Sequence, residues 1–254
     1  MRIVILGSGT AIPLADRAAP ALVLFAGGHP ILLDFGPGTL RQLTRAGIAH
    51  PSIEHIFLTH FHPDHTAGLA HFFFATRNPH ILPHRRPLTL AGPSGLVTFI
   101  RKLQEAYEGY LELPSEILKL IEFVPGEKQA FTCGDAKIFC SRTEHTSNSI
   151  AYRIEDNLGR SVVIAGDTGF SKEVIGLALG TDLLVLEASF PDGHDVPGHL
   201  TPSVAGRMAT LARAKRLLLT HFYPECLEVD IAAQCRKTYR GELTLARDLL
   251  TIRI

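Results

Sequence analysis

Four potential metal ligands stand within one short run, His60-Phe61-His62-Pro63-Asp64-His65. The apolar stretch before it, Ile53 to Thr59, reads as a strand, and Pro63 stands ahead of a helix expected over Asp64 to Ala75. His60 and His62 are two positions apart, so in an extended segment they point the same way. Asp64 and His65 follow where the helix begins and can turn toward the same space. A surface loop seldom gathers this density of nitrogen and oxygen donors behind a buried strand, whereas a metal ion requires it. The chain holds 13 histidines. Most are expected to be scattered surface residues, but imidazole is also the commonest metal ligand.

The rest of the chain reads as strands in groups with helices following. Ile3 to Leu6 is a buried strand closed by Gly7-Ser8-Gly9-Thr10, which is not a phosphate-binding loop because no Gly-Lys-Ser/Thr follows. Ala21 to Phe25 and Ile31 to Leu33 flank Gly27-Gly28, a hairpin signature. Gly38 to Ala46, Leu96 to Tyr110 and Pro114 to Ile121 are expected helical, and Thr76 to Leu88 a loop. Ile138 to Ser141, Ala151 to Ile154, Ser161 to Ala165, Leu183 to Glu187 and Leu217 to Thr220 are expected strands, with Thr244 to Ala246 extended. Thr201 with Pro202 opens a helix that runs to Ala212. An internal echo suggests two similar halves. Ile56 to His65 aligns without gaps with Leu217 to Cys226, and Asp34 and Asp167 both begin an Asp-x-Gly after an apolar strand. Each half would then deliver a His and an Asp from strand ends to a shared centre.

Composition narrows the partners. Lys plus Arg and Asp plus Glu are each 25, so there is no basic surplus for nucleic acid, and RNA is not favoured as a partner. No run approaches the ~20 apolar residues of a membrane span. The cysteines, Cys133, Cys140, Cys226 and Cys235, lack Cys-x-x-Cys spacing and are read as reduced, mostly buried thiols of a cytoplasmic protein. The 254 residues are taken as one domain, 1–254.

The run His60 to His65 resembles the His-x-His-x-Asp-His signature of the metallo-β-lactamase superfamily, and His145, Asp167 and His221 follow in that family's order. The resemblance covers nearly the whole chain. It implies an α/β (α+β) fold, a four-layer αββα sandwich of two similar halves. It also implies two divalent metal ions. One would be held by His60, His62, His145 and Asp167, the other by Asp64, His65, Asp167 and His221. Imidazoles with a few carboxylates suit zinc, with manganese or iron as alternatives. Asp34 matches an early Asp of the superfamily, placed to fix the tautomer of a ligand histidine, or else simply to cap the turn before Gly36.

Leu186 to Phe190 and Gly198 to Thr201 look like the late motifs of ribonuclease Z, the transfer-RNA 3′-processing endonuclease, as do Leu6 to Pro13 and Asp34 to Leu43. By that resemblance Glu187 orients His199, His199 protonates the departing oxygen, and Asp64 helps position the nucleophile, a hydroxide bridging the metals. One feature departs from that branch. Many of its members carry a long arm between the third His and the bridging Asp, and here only residues 146–166 intervene. The preferred reaction is therefore hydrolysis of a small or cyclic nucleotide phosphodiester, or of an RNA end. Hydrolysis of a lactone, thioester or aryl sulfate on the same metals is the alternative, and a non-catalytic metal-binding scaffold is a lesser one. Relatives of this type are often homodimers. The helical insert expected over residues 96–121 is open to reading as a lid or as ordinary packing.

Overall fold

Runs of aliphatic residues become strands wherever neighbouring strands bury them on both faces. The computed structural model describes residues 1–126 and 131–254. Its elements begin β1 (Arg2–Gly7), β2 (Ala21–Ala26), β3 (His29–Leu33), α1 (Thr39–Arg45), β4 (His55–Phe57), α2 (Pro63–Thr66), α3 (Gly68–Thr76) and β5 (Leu88–Pro93). They continue α4 (Leu96–Ala106), β6 (Leu118–Phe123), β7 (Phe131–Cys133), β8 (Ala136–Arg142), β9 (Ile150–Glu155), β10 (Ser161–Ala165) and α5 (Lys172–Leu177). The chain ends with β11 (Leu183–Glu187), α6 (Pro202–Leu211), β12 (Arg216–Thr220), α7 (Ile231–Arg236), β13 (Glu242–Leu245) and β14 (Thr251–Arg253). Gly27 and Gly28 join β2 and β3 as the expected two-residue hairpin, with positive φ of 57° and 82°, which such turns demand.

The strands form two seven-stranded sheets, ordered β14-β1-β2-β3-β4-β5-β6 and β13-β12-β11-β10-β9-β8-β7. In each sheet one side is antiparallel and the other parallel, the change falling at β3 and at β10. Between the sheets lies an apolar core that includes Ile5, Leu24, Leu33 and Phe57 from the first and Tyr152, Ile154 and Val163 from the second. The Tyr152 hydroxyl crosses it to donate to the Leu58 carbonyl at 2.6 Å. Outside the first sheet, Leu43, Phe72, Phe73, Leu96 and Ile100 of α1, α3 and α4 cover Leu6, Val23, Leu32 and Ile56. Outside the second sheet, Val174, Met208 and Ala209 of α5 and α6 cover its strands. The result is the four-layer αββα metallo-β-lactamase sandwich with two similar halves. Among the described residues no helix is long and apolar enough to cross a membrane.

The structure corrects three local expectations. The single helix expected from Asp64 to Ala75 is two helices. The Gly68 amide donates outward to the Phe35 carbonyl at 3.0 Å instead of back along the helix, which breaks it there. The insert at 96–121 is not wholly helical, because residues 118–123 form β6, parallel to β5. Finally, the internal echo is only half structural. Asp34 and Asp167 do follow the equivalent strands β3 and β10. His60 follows β4, next to β3, whereas His221 follows β12, with β11 between it and β10. The likeness of 56–65 to 217–226 is that of two buried strands each ending in Thr-His.

Candidate metal centre

All the sequence-selected residues gather at one end of the sandwich, on loops that leave the C-terminal ends of strands. His60, His62, Asp64 and His65 lie on the turn from β4 into α2, His145 follows β8, Asp167 follows β10, and His221 follows β12. Asp34 and His221 have φ of 57° and 60°. The left-handed region is costly for residues other than glycine, and such backbone strain concentrates at functional sites.

The donors fall into two adjacent groups. His60, His62, His145 and Asp167 present ligand atoms all within 4.8 Å of one another, and Asp64, His65 and His221 form a second such group. Asp167 joins them. Its Oδ2 lies 3.8 Å from His60 Nε2 and 3.7 Å from His145 Nε2, while its Oδ1 lies 3.3 Å from His65 Nε2 and 3.4 Å from His221 Nε2.

A second ring of contacts fixes which nitrogen of each imidazole faces inward. The Asp34 carboxylate accepts from His65 Nδ1 at 2.8 Å and from the Thr59 amide at 2.8 Å. The Thr59 hydroxyl donates to Asp34 and so accepts from His60 Nδ1 at 3.0 Å. The Gly198 carbonyl accepts from His145 Nδ1 at 3.0 Å. The Ser189 hydroxyl donates to Glu187 and accepts from His221 Nδ1 at 2.9 Å. Four histidines thus turn Nε2 to the centre, and oriented imidazoles of this kind are what metal sites use. His62 faces it through Nδ1, 3.0 Å from His145 Nε2.

This arrangement fits divalent metal ions. His60 Nε2 and Asp167 Oδ1 are buried without a hydrogen-bond partner, and burying such atoms is costly unless something occupies the space they face. The charges agree. Burial opposes the imidazolium of His65, but Asp167 and Asp34 outweigh it and raise its pKa well above the ordinary value. Burial and then the charge of His65 lower the pKa of His60 far below it, so that ring is neutral with a lone pair to give. Burial works to raise Asp64, yet His221 and His65 leave its pKa lowered.

Glu187 and His199 sit against this centre. Glu187, 1% exposed at the end of β11, accepts five hydrogen bonds. They come from the Thr168 amide (2.8 Å), His199 Nδ1 (2.9 Å), the Ser189 amide (3.2 Å), the Leu200 amide (3.2 Å) and the Ser189 hydroxyl. These solvate a buried carboxylate that would otherwise be untenable. With Nδ1 occupied, His199 has Nε2 left for a further partner. Burial lowers its affinity for a proton, but the bond and charge of Glu187, with Asp167 and Asp64, reverse that and its pKa is raised. The His199 ring lies 4.9 Å from that of His145, and beside it Phe190 and Tyr223 stack at 4.7 Å. Thr59, Ser189 and Tyr223 were not singled out in the sequence. Their only signal there was adjacency: Thr59 directly precedes His60, Ser189 follows Glu187 by two, and Tyr223 follows His221 by two.

Residues 29–222 match the family described as the beta-lactamase superfamily domain. The chain belongs to that superfamily and is a metal-dependent hydrolase of its ribonuclease Z-like branch. It is 32% identical over 244 residues to an uncharacterized protein of Mycobacterium leprae, covering 95% of this chain and 84% of that one. It is 29% identical to a ribonuclease Z of Streptomyces avermitilis, covering 98% of this chain and 96% of the relative. It also superposes on the short form of human tRNase Z with a TM-score of 0.80 and 29% identity, covering 100% of this chain and 99% of that one. Residues 146–166, all described, hold a short turn, β9, a second turn and β10, with no protruding arm.

Proposed function

We propose that the protein is a dinuclear metal-dependent phosphodiesterase. One ion would be held by His60, His62, His145 and Asp167, the other by Asp64, His65, Asp167 and His221. The division of the Asp167 oxygens between the two donor groups supports a shared carboxylate. Zinc is the ion that this imidazole-rich set suits best. When bound, such ions supply Lewis-acid charge and lower the pKa of water.

The observation that carries the choice of bond is the Glu187–His199 pair. Glu187, ringed by hydrogen-bond donors, accepts from His199 Nδ1 at 2.9 Å and so places the proton of that nitrogen on its own side of the ring. His199 Nε2 is then a proton-bearing group beside the two donor groups, left without a partner by either of them. Its role is to protonate the leaving alkoxide oxygen of a phosphodiester. Thioesters and aryl sulfates have less basic leaving groups, which need such a donor less. The ribonuclease Z relatives favour an RNA end as substrate, whereas the missing arm and the net charge of +0 favour a small or cyclic nucleotide diester.

A substrate panel on metal-loaded protein tests this directly. Phosphodiesters should turn over at least about a hundredfold faster than a lactone, a thioester or an aryl sulfate, in keeping with the usual worth of a positioned acid. His62→Ala should abolish the diesterase activity. A lactone or thioester heading the panel would overturn the proposal.

A further inference from the structure

A cleft of about 390 Å³ opens beside the metal centre and shares Asp64 with it. One wall is the loop bearing Pro13 and Leu14. The other is α1, with Arg41 and Arg45, and Arg17 also lines the space. The chain as a whole is neutral, so this concentration of guanidinium groups is local.

None of the three arginines makes an ion pair among the described residues. Arg45 donates to the Gln42 amide oxygen at 2.9 Å. Arg17 donates to the Ser8 hydroxyl at 2.7 Å and the Ala246 carbonyl at 2.9 Å, while its Nε is buried without a partner. Two acids line the cleft and could have neutralised them: Asp64, which is turned to His221 at 3.4 Å, and Asp248, which is committed elsewhere. It accepts from the Ser8 amide (3.0 Å), the Ser8 hydroxyl (2.8 Å), the Ala18 amide (2.8 Å) and Gln42 Nε2 (2.6 Å). Arg41 and Arg45 are exposed and four residues apart on α1, so they place two like charges on one face of the helix, where an anion would be favoured. The forked guanidinium is also the side chain best matched to phosphate. The apolar wall of Pro13 and Leu14 suits the sugar and base that would separate two phosphates.

We propose that this cleft binds a second phosphate of the substrate, one nucleotide from the scissile diester. The preferred substrate is then a short linear oligonucleotide or phosphorylated dinucleotide, not a cyclic mononucleotide. The inference rests on the phosphodiesterase reading of the metal centre and adds the class of substrate.

The test compares a 5′-phosphorylated dinucleotide with its dephosphorylated counterpart on the metal-loaded enzyme. It is joined by calorimetric binding of adenosine 3′,5′-bisphosphate and of adenosine 5′-monophosphate. The wild-type enzyme should prefer the phosphorylated dinucleotide by about tenfold in kcat/KM, through KM, and bind the bisphosphate about tenfold more tightly than the monophosphate. In the Arg41→Ala/Arg45→Ala double variant both ratios should fall to about one. A ratio near one in the wild-type enzyme, or an unchanged ratio in the double variant, overturns the cleft while leaving the diesterase standing. Tight bisphosphate binding that depends on the arginines, with no diester hydrolysed, keeps the cleft and overturns the diesterase.

Discussion

At the scale of single residues, the centre is organised by groups that hold imidazoles, not by the imidazoles alone. Asp34 is the clearest case. It tolerates a left-handed backbone and binds Thr59 and His65 together. Asp34→Asn keeps the size and suits the same backbone region, but removes the charge that favours Nδ1–H of His65. Metal affinity, measured by competition with a chelator, should fall about tenfold, the lower end of what such supporting contacts contribute. His199 gives a second prediction. His199→Ala should reduce turnover of a poorly activated phosphodiester by about 10² to 10⁴ while metal stoichiometry is retained. The sign of the pH dependence follows from its raised pKa: burial alone would lower it, and Glu187 reverses that. The acid form persists to higher pH than in an ordinary imidazole and is lost as pH rises further, so turnover should fall on the alkaline side. An alkaline limb that survives in His199→Ala would assign the limb to another group.

At the scale of elements, the strand ends place these residues, and close approach between the halves keeps them there. Gly166, at the end of β10 and just before Asp167, lies where any Cβ would collide with the Thr59 hydroxyl and its Cβ, just before His60. Gly166→Ala should therefore separate the strand ends that carry the two halves of the centre. A loss of about 1–3 kcal/mol in stability is expected from such overpacking, measured by denaturant unfolding, together with lost metal binding. Unchanged stability and stoichiometry would show that the approach has slack. The His60 to His65 turn was legible in the sequence because its donors are close in the chain and its strand is strongly apolar. His145, Asp167 and His221 were legible only as an ordered set, since a lone His or Asp carries no such information. β6 was misread as helix because a short run such as Leu118 to Phe123 satisfies either period, and only pairing with β5 decides it. β5, β7, β14, α5 and α7 had no distinct pattern of their own. Thr59 and Ser189 act through contacts made by folding, which spacing does not encode.

At the scale of the whole molecule, the donor set straddles the two sheets. His60, His62, Asp64 and His65 come from the first half, and His145, Asp167 and His221 from the second. The sheets already share an apolar core, so the fold does not depend on metal as a zinc finger does. Yet ions bound here would join loops that the core does not join directly, and they would bind only the folded chain. By mass action, a free ion at a hundred times its dissociation constant adds about 2.7 kcal/mol of stability. For a chain of this size each kcal/mol moves Tm by about 2–4 °C. Removing metal with a chelator should therefore lower Tm by about 5–10 °C, and returning zinc should restore it. The convergent, unpartnered Nε2 of His60 and Oδ1 of Asp167 give the reason, since without an ion they face each other's surroundings unpaired. In His62→Ala the chelator-induced shift should shrink, because one donor group loses a ligand while the other keeps its own. A Tm indifferent to chelation in metal-loaded wild-type protein would mean that the donors, though gathered, do not bind the ions that join the halves.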